Sequence, residues 1–188
     1  MRPMLREFRA RLIERVAAAT LAAAVSVAPI APAAAQSASS ACHARHYAAY
    51  ANAQREYQRT VERVLTRGDS SLRELAALAR AEQIARIDAR QRAVESLLAT
   101  SPALVRVDRS VNQWLDWGRA ESERLSRSDS VYARLDATAR TAAERVRGHA
   151  MWPRIRQAMH DRVQSSPEHR VALDRLTAAM NATPRCGK

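Results

Sequence analysis

Apolar residues recur every three or four positions from about residue 40 to residue 180, and no stretch alternates as a half-buried strand would. The spacing predicts a first helix over 40–66, with Ser39 or Ser40 as N-cap and Gly68 beyond its end. Its apolar stripe is Tyr47, Tyr50, Tyr57, Val61 and Val64, with Gln54 as one polar insert. A second helix is predicted from a cap at Asp69 or Ser70 to about residue 99, presenting Leu72, Leu75, Leu78, Ile84, Ile87, Val94 and Leu98. Thr100-Ser101-Pro102 stops it and starts another, because Pro suits a first helical turn. From there Leu104, Val107, Val111, Trp114, Gly118, Leu125, Tyr132, Leu135, Ala139, Ala142 and Val146 fall on one continuous seam over 103–147. The run Ser126 to Ser130 is poor helix material and Asp129 is a good cap, so a break into two antiparallel helices is expected there.

Trp152-Pro153 must end or kink the preceding helix, since Pro has no N–H to donate. A helix of about twelve residues should follow, with Ile155, Met159 and Val163 inward. Ser166-Pro167-Glu168 opens the last one, whose apolar residues are Ala172, Leu173, Leu176 and Met180. The sum is one all-α domain, a bundle of about four long and two short helices.

The pattern changes character at the N-terminus. Residues 1–15 carry five arginines against two glutamates, residues 16–30 carry no charge, and Ala33 and Ala35 stand at small-residue positions. A basic region, an apolar region and an A-x-A site in that order are those of a secretory signal peptide, cut after Ala35. A membrane span is the weaker reading, because the segment is Ala-rich and interrupted by Pro29 and Pro32. Removal of 1–35 leaves 36–188, a single-domain length with no further stretch able to cross a membrane. It also takes away three net positive charges, lowering +12 to +9. An exported protein, periplasmic or secreted, is expected.

Composition mostly excludes. An apolar content of 47% argues against disorder. Four glycines cannot make a Gly-rich phosphate loop, and two cysteines cannot make a four-thiolate zinc site. Nearly all the basic residues are Arg, Lys188 being the one Lys; the Ala excess beside it fits a GC-rich genome. Cys42 and Cys186 lie near the two ends of the expected mature chain, and an oxidising compartment makes one disulfide of them, closing 144 residues. A lipid anchor at Cys42 is disfavoured by the preceding Ser39-Ser40-Ala41, and haem attachment by the missing first cysteine of C-x-x-C-H.

No catalytic motif is present: no G-x-S-x-G, no phosphate loop, no H-E-x-x-H. Acidic residues are scattered among the arginines, as on a solvated face with local pairs. No enzymatic role and no cofactor are therefore assigned. His43 and His46 share one side of a helix beside Cys42, and His149, Met159 and His160 gather at the Trp152-Pro153 corner; either set is a candidate for copper or zinc. Trp117 falls off the seam, and an exposed Trp marks a partner surface. The most basic stretch holds Arg145, Arg147, Arg154 and Arg156 with no acid between Glu144 and Asp161. With Trp117 and Trp152, these arginines form the candidate surface for an anionic envelope component or another protein, nucleic acid being disfavoured. Leu65-Thr66 and Leu176-Thr177 echo the L-T-x-x-Q repeat of cradle-shaped periplasmic chaperones without its Gln, and no family is assigned. The expectation is a non-enzymatic binding or chaperone-like bundle; the rival is a metal- or cofactor-binding one.

Overall fold

The computed structural model describes residues 31–186, and among these there are helices and no strands. Most of the expected leader, residues 1–30, lies outside the described residues. The helices are α1 (Ala31–Gly68), α2 (Arg73–Thr100), α3 (Arg119–Ser128), α4 (Ser130–Gly148), α5 (Trp152–Ala158) and α6 (Pro167–Asn181). A single π-helical stretch, Met159–Val163, continues α5. Four are long and two short, but the short ones are α3 and α5, not the two after Gly148 that the spacing predicts, since α6 runs to 15 residues. Residues 31–35, which would leave with the expected signal peptide, belong to the start of α1.

Local chemistry sets the boundaries. Asp69 accepts from the Ser71 backbone N–H at 3.0 Å and so opens the short 3-10 turn that leads into α2. Asp129 accepts from the backbone N–H groups of Val131 and Tyr132, both at 3.0 Å, which breaks the seam where its side chain is the best cap available. Pro153 sits in the first turn of α5 and Pro167 opens α6, where a missing N–H costs nothing.

The helix predicted to start near residue 103 is corrected. Pro102–Leu104 makes one 3-10 turn, Val111–Gln113 another, and helix resumes only at Arg119. The intervening loop closes on itself. Arg106 N–H donates to the Trp114 carbonyl at 3.1 Å, Gln113 N–H to Ser110 at 2.8 Å, and the Trp114 indole to the Arg109 carbonyl at 3.0 Å. Val111 and Trp114 are buried as the seam requires, but Leu104 is 53% exposed. Apolar residues three or four apart therefore reach one core from a loop here.

The middle of the bundle is α2, packed against α1 on one side and α4 on the other, with α6 laid on α1. Burial on two sides explains why Ala76, Ala85, Ala89 and Ala93 are buried along with Leu75 and Val94. Two apolar clusters result. One joins Tyr47, Tyr50, Val94, Leu97, Val111, Trp114 and Tyr132. The other joins Val61, Leu65, Leu72, Leu75, Val146, Ile155 and Val163. Leu173, expected inside, is 41% exposed, because α6 turns His169, Leu176 and Met180 toward its neighbours.

Cys42 and Cys186 form a disulfide, their Cα atoms 5.6 Å apart. It ties the beginning of α1 to the tail after α6. A closed loop of 144 residues corresponds to at most about 5 kcal/mol of chain entropy removed from the unfolded state.

Candidate functional site

The arginine-rich corner lies where α4 gives way to α5. Arg145 and Arg147 stand in the last turn of α4, at the negative end of its dipole. Arg147 Nε donates to the Ala143 carbonyl at 3.2 Å. Arg145 lines a shallow groove with Leu78 and Ala81 of α2. Arg154 is drawn elsewhere, its Nη2 lying 2.6 Å from Asp69 Oδ2, with Arg162 3.9 Å from the same atom. The Ser71 hydroxyl, chiefly, and then its N–H and Arg154 hold the Asp69 carboxyl below its usual range, against the opposing effect of burial. The Arg156 guanidinium lies 6.0 Å from the Trp152 ring centroid, over its face. Arg145, Arg147 and Arg156 are exposed and have no carboxylate within ion-pair distance among the described residues.

The scattered acids do more than decorate outer faces. Arg55 pairs with Asp88 at 2.6 Å and Arg80 with Glu62 at 2.7 Å, both joining α1 to α2. Arg92 reaches Asp129 at 2.8 Å across α2 and α4, and Arg67 reaches Glu168 at 2.7 Å across α1 and α6. The expected picture of local pairs holds for only some, such as Arg119 with Glu123. The interhelical use of Arg leaves no linear trace, because each partner is supplied by another element.

The two tryptophans of the predicted surface belong to different clusters. Trp117 is half-buried, 6.0 Å from the Tyr132 ring and packed against the first core, which corrects its expected exposure. Trp152 is half-buried against the second core, on the α5 side. His43 and His46 flank Trp114, with centroids 5.7 and 5.5 Å from its ring. Burial, the largest influence, pushes His46 below the usual imidazole range; a hydrogen bond to the Ala182 backbone opposes this, and repulsion from His43 adds to it. The sulfur of Cys42 is held in the disulfide and cannot serve as a thiolate ligand beside them. At the other corner His149 Nδ1 accepts from the Met151 N–H at 3.1 Å, and Met159 packs into the second core. No group of three or more His, Cys, Asp or Glu arranged for a metal occurs among the described residues.

Sequence reasoning missed two features. Tyr57 Oη and His169 Nε2 are 2.9 Å apart, a polar link that docks α6 on α1. A cavity of about 250 Å³ lies between α1, α2 and α5, with Trp152 and Arg156 on its wall. Ile155 and Met159 line it beside them, but its remaining walls come from residues 57–83, nearly seventy positions or more away, and only folding brings them together. No family model, curated protein or solved structure is similar to this chain.

Proposed function

We propose that the protein is an exported bundle of the bacterial envelope, periplasmic or secreted, that binds an anionic partner in a non-enzymatic or chaperone-like role through the α4–α5 corner. The observation that carries the reading is the exposure of Arg145, Arg147 and Arg156 without carboxylate partners among the described residues. An unpaired guanidinium presents donors in a fork that matches carboxylate or phosphate oxygens. The helix dipole accounts for the position of Arg145 and Arg147 but neutralises only part of their charge. Two further features support export. The first 35 residues have the order of a signal peptide, and the disulfide suits an oxidising compartment. No described helix is long and apolar enough to cross a membrane.

The test is binding to vesicles containing an anionic phospholipid and to a soluble polyanion, at low and high salt. Wild type should bind in a salt-sensitive way, and R145A/R147A/R156A should bind at least about tenfold more weakly with an unchanged melting curve. Equal binding by the triple variant would refute the corner as the docking surface.

A further inference from the structure

We propose that the cavity between α1, α2 and α5 binds a small amphiphilic anion, an apolar body carrying one carboxylate. The floor is apolar: Val61, Leu65, Ala76 and Ile155 are all buried and belong to the second core. Its volume, about 250 Å³, lies just below the usual ligand-pocket range of roughly 300 Å³ and more, which selects a small guest. The charges on the wall do not cancel. Glu62 is the one carboxylate lining the cavity among the described residues, and Arg80 neutralises it at 2.7 Å. Arg156 remains, exposed at the mouth, its guanidinium over the Trp152 ring and no acid beside it among the described residues. A position 6.0 Å over the ring face leaves the guanidinium N–H groups free for a bidentate carboxylate. One uncompensated positive charge at the rim of an apolar pocket matches a monoanion whose tail enters and whose head stays at the surface.

The inference stands apart from the polyanion reading, although Arg156 belongs to both. Its test is titration of the full protein with octanoate, followed by calorimetry, beside octanol as the uncharged analogue. Octanoate should bind saturably and at least about tenfold more tightly than octanol, and R156Q should remove that preference. Ala79 also lines the cavity, half-buried on α2, and A79L would fill the space with a residue nearly as well suited to a helix. A79L should abolish octanoate binding and leave polyanion binding intact, while R145A/R147A should do the reverse. No saturable binding, equal binding of octanol, or binding that survives A79L would each overturn the proposal. Melting curves of R156Q and A79L show whether a loss is one of fold; the exposed Arg156 keeps the R156Q arm decisive.

Discussion

Asp129 shows how much one side chain can do. It is 7% exposed, caps α4 through two backbone N–H groups and receives Arg92 from α2. Burial alone would favour its neutral form. The Tyr132 N–H, the Ser96 hydroxyl and Arg92 together outweigh that effect and hold the carboxyl below its usual range. A carboxyl depressed in the folded state adds stability above its unfolded value near 4, and that stability is lost as pH falls through the folded value. D129A should therefore cost roughly 1–2 kcal/mol at pH 7, the usual cost of removing a cap. D129N keeps one capping oxygen but not the charge, so its deficit in urea denaturation should shrink as pH drops from about 5 to about 2. A deficit independent of pH would contradict this role. The cap was legible in the sequence because Asp before a helix acts on its own backbone. The Arg92 contact was not, since it joins positions 37 apart.

Element boundaries were legible wherever a local signal fixes them. Asp129, Pro153 and Ser166-Pro167 each act within four residues, and each break falls where these residues place it. The stretch 105–118 shows the opposite case. Its apolar spacing satisfies a helix and a self-closed loop equally, and the choice is made by the buried Trp114. Trp114 is 0% exposed, anchors the loop through its indole N–H and meets His43 edge-on and His46 at a tilt. W114A should destabilise the protein by about 3–5 kcal/mol, the range for emptying a large aromatic site. Amide hydrogen exchange should report faster exchange at Arg106 and Gln113 than in α4, because their donors depend on that loop. A loss below about 1 kcal/mol would show that the loop folds without its anchor.

On the scale of the molecule, the all-α architecture and the disulfide were both readable: the first from periodicity, the second from an even pair of cysteines near the two ends of the expected mature chain. The candidate site was readable only in half. Charge clusters are linear and appear as Arg145 to Arg156, whereas the cavity is assembled from α1, α2 and α5. Ion pairs such as Arg55 with Asp88 likewise appear only once helices meet.

Export of a bundle closed by the Cys42–Cys186 disulfide is the proposal at stake. It is tested most directly by the intact mass of the protein recovered from its native cells, before and after reduction. An exported, disulfide-closed protein should have the mass of residues 36–188 less two hydrogens, regained on reduction, with no acyl chain, haem or metal attached. A full-length mass, two thiols that alkylate without reduction, or added mass at Cys42 would contradict it.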